Sequence, residues 1–425
     1  MPFFCSFKSL KLYKMKNIFL GLLLVLLFSC KKDKQEKVIV DKEFKVGTYR
    51  ASLAIKDQKE LPFVFKVDST KKMTIYNAEE KILVDDISIK GDSVFIKMPV
   101  FDAKIIAIIN EKGNLRGNYT KGPKNLKVPF EAIYDVHFRY PTTSTTHNPI
   151  AGNWEVTFSP NTEDSYKAKG VFKDGPDNKI TGTFLTEIGD YRFLEGVLDD
   201  ERLSLSCFDG AHAFLFDGLV KNDSITSGMF YSGNHYKEPW VAIRNDNFEL
   251  TDPNTLTFLK EGYDKIEFSF PDLKGKQVRL KDDRFKNKAV IIQIMGSWCP
   301  NCLDESKYLS QFYKVNKSAN LEIVALAFEN AKTIEKATSN LNRLKERVGI
   351  EYPILIAQYG SARKLLAAEK LPMLNHIRSY PTTIFIDKKG TVRKIHTGFN
   401  GPATGEKYIQ FTKEFENFVK KLMEE

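Results

Sequence analysis

Short apolar segments that alternate with polar positions dominate residues 46–140. Residues 63–67, 94–98 and 105–109 are examples, and turns rich in Gly, Asn, Asp and Lys separate them. Alternation over a few residues places apolar side chains on one face of a strand. Many short strands with frequent turns are typical of antiparallel β structure. The pattern therefore predicts a first β-rich unit, folded as a sandwich or a small barrel.

The same pattern recurs over residues 150–245, after a Pro/Thr/Ser-rich linker at residues 140–149. Four short segments of the first unit have counterparts in the second: residues 47–50 and 152–155, 101–103 and 208–210, 117–119 and 228–230, and 129–133 and 239–243. The offset exceeds a hundred residues, which is far longer than a solenoid repeat. We therefore predict a duplicated β-rich domain.

Beyond residue 245 the pattern changes to alternating strands and helices. Continuous apolar runs predict strands that are buried on both faces. A strand–helix alternation that ends in a hairpin and a helix predicts a mixed central sheet covered on both sides. This α/β domain should span residues 262–425. Its predicted elements are a leading hairpin at 268–280, strands at 291–295, 321–327 and 353–356, helices at 332–348 and from about 408, and a hairpin of 383–387 with 391–395.

The N-terminus carries the pattern of an export signal. A short basic region at Met15 precedes an apolar run over residues 18–28, too short to span a bilayer comfortably. The run ends in a segment that resembles a bacterial lipoprotein cleavage box, although Phe28 replaces the usual small residue. We expect a signal peptide at 1–30, with Met15 as an alternative start, lipidation at Cys30 and a charged tether at 31–45. The alternative is an uncleaved membrane anchor.

The lipid would attach the protein to a membrane of the cell envelope, with its body in the periplasm or on the outer surface. The formal charge of +10 and the pI near 9.0 could instead suggest a nucleic-acid partner. Lysines are interspersed with acids along the whole chain, however, which is typical of a solvated surface. We therefore predict no nucleic-acid partner.

The candidate chemistry lies in two cysteines, Cys299 and Cys302, that follow the predicted strand at 291–295. Pro300 suits the first turn of a helix, and the positive end of the helix dipole favours a thiolate at Cys299. The spacing also allows a disulfide. Half of a zinc site is the alternative, but it lacks a second pair of Cys or His ligands. Redox chemistry without a metal or a cofactor is therefore predicted, and the isolated Cys207 is expected to be a buried apolar side chain.

Two motifs together show a family resemblance. Residues 298–302, Trp-Cys-Pro-Asn-Cys, and residues 380–383, Tyr-Pro-Thr-Thr, resemble the thioredoxin superfamily. The resemblance is closer to its exported TlpA-like and ResA-like disulfide reductases and covers residues 262–425. It implies that Cys299 is the nucleophile and Cys302 the resolving thiol of a redox disulfide. It also implies that Pro381 is a cis-proline facing them, with Trp298 and Tyr380 contacting the substrate.

Glu305 also matches the family, whose reductases often carry an acid three residues after the second cysteine. On a helix it shares a face with Cys302, where a buried carboxylate can take up the proton of the resolving thiol. The alternative is an ordinary first-turn acid, a role for which Asp304 is the better candidate. Two positions depart from the family, since Gln293 replaces the buried acid of cytosolic thioredoxins and Ser306 replaces a common proline.

The sequence thus predicts a membrane-anchored thiol:disulfide oxidoreductase that reduces disulfides of exported proteins or peptides. An upstream membrane thiol donor would return it to the reduced state, and residues 262–425 would carry the redox activity alone. Two alternatives stay open. One is a peroxiredoxin-like thiol peroxidase, which residues 268–280 resemble, and the other is a non-enzymatic envelope lipoprotein whose β units bind a ligand. The reduction potential and the direction of electron flow are not determined by these motifs.

Overall fold

The computed structural model describes residues 42–122, 126–144, 149–317 and 320–425. The predicted signal peptide and the lipidation site Cys30 lie outside these residues. Within them, no helix has both the length and the apolar character needed to cross a membrane.

The first β-rich unit, called the first barrel, forms one antiparallel sheet of nine strands in the order β4-β3-β2-β1-β9-β8-β7-β6-β5. Its two edge strands, β4 and β5, are separated by Asp85 alone, so the chain itself joins the two edges into a barrel-like ring. The strands are β1 (Gly47–Ala54), β2 (Glu60–Val67), β3 (Met73–Asn77), β4 (Glu80–Val84), β5 (Asp86–Lys90), β6 (Ser93–Lys97), β7 (Ala103–Ile109), β8 (Leu115–Lys121) and β9 (Leu126–Tyr134).

The second unit, called the second barrel, closes fully because β11 also pairs with β12. Its interior is filled by aromatic side chains that include Trp154, Phe184 and Trp240, all without solvent exposure. The strands are β10 (Gly152–Phe158), β11 (Tyr166–Asp174), β12 (Lys179–Thr186), β13 (Gly189–Asp190), β14 (Leu194–Asp199), β15 (Arg202–Phe208), β16 (Ala213–Lys221), β17 (Ser224–Ser232) and β18 (Tyr236–Arg244). Both units are therefore barrel-like rather than two-sheet sandwiches.

The segments that match in sequence occupy equivalent positions in the two barrels. Gly117 on β8 lies opposite Phe130, and Gly228 on β17 lies opposite Trp240. A Cβ atom at Gly117 would lie 1.9 Å from the carbonyl oxygen of Ile106, and one at Gly228 would lie 2.4 Å from that of Trp240. Each glycine thus leaves room for a neighbouring strand, which explains why the same residue recurs in both copies.

The first strands of the two barrels share a second feature. The Tyr49 hydroxyl donates to the carbonyl of Lys45 over 3.1 Å, and Trp154 Nε1 donates to the carbonyl of Ile150 over 2.9 Å. Both rings are buried and bond to the backbone four residues earlier. Equivalent aromatic side chains therefore begin each barrel in the same way.

The C-terminal domain has a five-stranded mixed sheet in the order β23-β22-β21-β24-β25. The central strand β21 runs parallel to β22 and antiparallel to β24, and all three are buried throughout, so both faces of the sheet are covered. Its elements are β19 (Ser269–Pro271), β20 (Gln277–Arg279), β21 (Ala289–Met295), α1 (Pro300–Asn316), β22 (Leu321–Phe328), α2 (Ile334–Val348), β23 (Ile354–Gln358), α3 (Lys364–Ala368), β24 (Thr382–Ile386), β25 (Val392–Thr397) and α4 (Glu406–Glu424). The predicted order of strands and helices is confirmed, and the short helix α3 and a 3₁₀ helix at Pro402–Thr404 were not predicted.

Candidate active site

The two cysteines lie where β21 turns into α1. Cys299 is the N-cap of the helix, and its Sγ accepts a hydrogen bond from the amide of Cys302 over 3.1 Å. The two residues form a disulfide with their Cα atoms 5.2 Å apart. Cys299 is 6% exposed and Cys302 is fully buried, so the first sulfur is the more accessible one. After reduction, the helix dipole and the Cys302 amide favour a thiolate at Cys299.

Trp298, Tyr380 and Pro381 surround Cys299 as the family resemblance implies. The Tyr380–Pro381 peptide bond is cis, and the carbonyl oxygen of Tyr380 lies 3.5 Å from Cys299 Sγ. The Trp298 ring packs edge-on against the Tyr380 ring with centroids 5.5 Å apart. Its Nε1 also donates to the carbonyl of Phe328 over 2.9 Å. The backbone before Pro381 and two aromatic rings therefore lie beside the sulfur.

Glu305 lies beneath the cysteines with no contact to solvent. Its Oε1 accepts from the Thr383 hydroxyl over 2.6 Å, and its Oε2 accepts from Gln293 Nε2 over 2.8 Å. Burial raises the pKa of Glu305 to about 7, although these two hydrogen bonds act in the opposite direction. A carboxyl group with this pKa exchanges a proton readily near neutral pH. Its burial is inconsistent with an ordinary solvated first-turn acid.

Gln293 joins Glu305 to the second cysteine. Besides Glu305, its Nε2 contacts the carbonyl of Cys302 over 3.4 Å and the Ser306 hydroxyl over 3.1 Å. The two positions that depart from the family pattern, Gln293 and Ser306, thus contact each other, and Gln293 also contacts the predicted proton-handling acid. Together they form a neutral hydrogen-bonding cluster behind the disulfide.

A second buried acid, Glu329, supports the turn that carries the motif. It follows β22 directly and accepts from the amide and the hydroxyl of Ser297 over 2.7 and 2.6 Å. Burial raises the pKa of Glu329, and the two hydrogen bonds from Ser297 oppose that shift. The sequence analysis missed this residue, although an acid directly after the apolar run of residues 323–328 was a usable signal.

Asp304, which the sequence offered as an ordinary first-turn acid, has a buried partner from another unit. It is only 6% exposed and forms an ion pair with Arg192, which comes from the second barrel. Arg192 Nη2 also lies 2.8 Å from Glu80 of the first barrel, and its Nε lies 3.4 Å from Asp209. This buried cluster joins all three folded units. The sequence could not show it, because Arg192 and Asp304 are 112 positions apart.

The chain segment before Arg192 also contacts the active-site loops. Asn301 Nδ2 donates to the carbonyl of Asp190 over 3.3 Å, and the amide of Gly401 donates to Asp190 Oδ2 over 2.7 Å. The Ser379 hydroxyl donates to the carbonyl of Ile188 over 2.8 Å. We call residues 186–192 the contact hairpin. It places the second barrel directly against the cysteine motif and the segment before Pro381.

A cleft of about 880 Å³ opens beside Cys299, between the second barrel and the C-terminal domain. His212 of the second barrel lines this cleft with its ring stacked on Phe214 at 4.3 Å. Burial lowers the pKa of His212, although Asp209 Oδ2 lies 3.2 Å from its Nδ1. No group of three or more His, Cys, Asp or Glu side chains suited to a metal occurs in the part of the chain that the structure describes.

A model of the AhpC/TSA family matches residues 262–395. The thiol-disulfide oxidoreductase ResA of Bacillus subtilis (strain 168) is 30% identical over 140 residues, covering 33% of this chain and 69% of that protein. ResA of Geobacillus thermodenitrificans (strain NG80-2) is 30% identical over 132 residues, covering 31% of this chain and 66% of that protein. The matched part thus spans about two thirds of each of these relatives.

Among solved structures, a thiol:disulfide interchange protein of the thioredoxin family from Chlorobium tepidum TLS matches with 23% identity. The match covers 39% of this chain and 98% of that chain, with a TM-score of 0.29.

Proposed function

We propose, from the premise that this chain belongs through its C-terminal domain to the ResA-like thiol-disulfide oxidoreductases of the thioredoxin superfamily, that it reduces disulfides of exported proteins or peptides. The observation that carries the proposal is the Cys299–Cys302 disulfide at a helix start, with the Tyr380 carbonyl beside the more accessible sulfur. A dithiol that closes into a disulfide in this way gives up two electrons, which reduce the substrate disulfide to two thiols.

The reaction has two exchange steps. The Cys299 thiolate attacks one sulfur of the substrate disulfide, so that the substrate S–S bond breaks, a mixed disulfide forms and one substrate thiolate leaves. The Cys302 thiolate then attacks Cys299 Sγ, releases the second substrate thiolate and closes the Cys299–Cys302 bond. Two electrons thereby pass from the enzyme dithiol to the substrate.

We assign to Glu305 the uptake of the Cys302 proton before the second step. Its pKa of about 7 is suited to this transfer, and Glu305 lies three residues after Cys302 on α1, on the same face of the helix. The oxidised pair would then be returned to the dithiol by an upstream membrane thiol donor. No cofactor takes part in this scheme.

The direction of electron flow is tested by a redox titration of the full-length protein against a thiol buffer. A reductase should have a potential nearer the roughly −270 mV of thioredoxin than the roughly −120 mV of a strong oxidant. The pre-reduced protein should also reduce a protein disulfide, Cys299→Ser should abolish that activity and Cys207→Ser should retain it. An oxidising potential would reverse the proposed direction, and peroxide consumption in place of disulfide reduction would favour the thiol-peroxidase alternative.

We further propose that the protein is held in the cell envelope by a lipid on Cys30. The support is the apolar run over residues 18–28 followed by the segment that resembles a lipoprotein cleavage box. A Cys30→Ser variant should stay unprocessed and carry no fatty-acid label when expressed in an exporting bacterium. Normal processing and labelling of that variant would refute lipid attachment at this residue.

A further inference from the structure

The contact hairpin covers one side of the redox centre. Ile188 bonds through its carbonyl to Ser379, next to Tyr380, while Asp190 bonds to Asn301 and Gly401. Gly189 lies so close to Asn301 that a Cβ atom there would be 2.1 Å from Asn301 Nδ2. Because these atoms are in hydrogen-bonding or van der Waals contact, a substrate chain cannot pass between the hairpin and the cysteine motif.

The cleft of about 880 Å³, which the contact hairpin also lines, does reach Cys299. Cys299, Trp298 and Tyr380 form one wall. The opposite wall belongs to the second barrel and contains the rings of Tyr166, Tyr191, His212 and Phe214. Ile188 is 42% exposed and also lines the cleft. A substrate held at Cys299 would therefore contact aromatic and aliphatic side chains of the barrel.

Most charged residues that line the cleft are in ion pairs, and Asp190 accepts hydrogen bonds from the backbone amides of Arg192 and Gly401. Arg378 Nη2 lies 2.5 Å from Glu187, Lys167 Nζ lies 2.7 Å from Glu155, and Glu249 lies 2.6 Å from Lys169 Nζ. The paired charges leave no strong preference for a charged ligand, whereas the rings favour an apolar group that loses contact with water. The cleft volume falls within the roughly 300–1,000 Å³ of sites for small ligands, which suits a short peptide segment rather than a folded surface.

We propose that the second barrel forms a substrate subsite, which binds an apolar and preferably aromatic side chain next to the cysteine of an extended, disulfide-bonded peptide segment. This inference rests on the proposed reductase function and specifies its substrate class. The barrel is then part of the enzyme rather than a spacer between membrane and redox domain.

The test compares two peptide disulfides that differ at one position. Each is a short peptide with its single cysteine linked to 2-nitro-5-thiobenzoate, one with Phe and one with Ser before the cysteine. The full-length reduced protein should show a kcat/KM that is roughly tenfold or more higher for the Phe peptide, the scale expected when a pocket accepts an apolar group. Hydroxyethyl disulfide, which has no such side chain, reports whether the enzyme works at all.

An Ile188→Asp variant should bring the Phe-to-Ser ratio to within about twofold of unity, because it places a charge in the subsite. Because the ratio is internal to each preparation, partial unfolding does not change it. The matched control is Ile243→Asp, at a site that is 54% exposed on the same barrel and outside the cleft, and it should keep the wild-type ratio. An Ile188→Val variant should also keep it.

A wild-type ratio near unity, an unchanged ratio in Ile188→Asp, or an equal loss in Ile243→Asp would overturn the subsite. In each of these cases hydroxyethyl disulfide would still be reduced by the wild-type protein, so the proposed function would stand. If the wild-type protein reduces none of the three disulfides, the proposed function itself fails.

Discussion

The two barrels share a strand path but meet the C-terminal domain in different ways. The first barrel reaches α2 through two ion pairs, Asp85–Arg347 and Asp102–Lys336, at 2.8 and 2.9 Å, with all four side chains partly exposed. The second barrel uses the buried Arg192–Asp304 pair and the hydrogen bonds of the contact hairpin. A duplicated fold has thus acquired two roles, and only the second copy is placed to affect the redox site.

Corresponding hairpins show how this difference arises. The tip of the β3–β4 hairpin contacts the second barrel, since the Ala78 amide donates to Glu195 Oε2 over 2.6 Å and Glu80 pairs with Arg192. The tip of the β12–β13 hairpin contacts the C-terminal domain instead, through Ile188 and Asp190. The same element therefore links each barrel to the next unit along the chain.

The largest expected effect comes from Arg192, the buried arginine whose ion pairs join the three folded units. Arg192→Met removes the cation that faces Glu80, Asp209 and Asp304, and should lower the free energy of unfolding by about 3–5 kcal/mol at pH 7.5. Burial already raises the pKa of Glu80, and Arg192 opposes that shift. Without Arg192 the pKa of Glu80 rises further, so Glu80 becomes protonated as the pH falls and the loss of unfolding free energy should become smaller. Urea unfolding of both proteins at pH 7.5 and pH 5 measures this change.

The matched control is Arg139→Met at the junction of the two barrels. Arg139 donates mainly to backbone carbonyls, those of Ser206 over 2.9 Å and Tyr76 over 2.5 Å, and Glu195 keeps Lys179 as a second cation at 3.4 Å. We expect a smaller loss, of about 1–3 kcal/mol, that depends only weakly on pH, because the carbonyls left unpaired do not titrate and Glu195, 3.7 Å from Arg139 Nε, keeps Lys179 as a partner. Equal and pH-independent losses for both variants would remove the distinction between the junctions.

The sequence predicted those parts of the site that depend on neighbours along the chain. The apolar run of β21, Pro300 at the helix start and the two cysteine positions are local features, and each lies where expected. The repeated glycines also mark equivalent places in the two barrels. Alternation specifies which face of a strand is buried but not whether a sheet closes, so the sequence left sandwich and barrel open.

The parts that the sequence missed depend on how separate units pack. Asp304 looks ordinary in its local segment, and its partner Arg192 becomes a neighbour only when the second barrel meets the C-terminal domain. His212 and Cys299 line the same cleft for the same reason. The catalytic roles of Cys299, Cys302, Glu305 and the substrate contacts of Trp298, Tyr380 and Pro381 stay predictions.

Glu305 should make the stability of the protein depend on pH. It follows Asp304 on α1, but its hydrogen-bond partners, Gln293 and Thr383, are neutral. Its pKa rises from an ordinary value of 4.5 to about 7, so the folded state keeps a proton that the unfolded state releases between these pH values. Wild-type stability should therefore fall as the pH rises through this window, by on the order of 3 kcal/mol relative to Glu305→Gln. Unfolding free energies of the two proteins from pH 4.5 to 7.5 provide the measurement, and parallel curves would contradict it.

The smallest effect should come from the exposed ion pairs of the first barrel. Arg347→Ala breaks the pair with Asp85 and should change the free energy of unfolding by less than about 1 kcal/mol, since water and salt screen both charges. Added salt should reduce the difference further. A loss as large as that of Arg192→Met would show that the first barrel is attached as firmly as the second.

The central claim, that Cys299 is the attacking thiol in the cleft, is tested most directly by trapping the mixed disulfide. A reduced Cys302→Ser protein should accumulate a covalent adduct with a disulfide-bonded peptide, and mass spectrometry should locate it on Cys299, because the resolving thiol is missing. Cys299→Ser should trap little, since Cys302 is fully buried. An adduct that forms mainly on Cys302 would contradict the account.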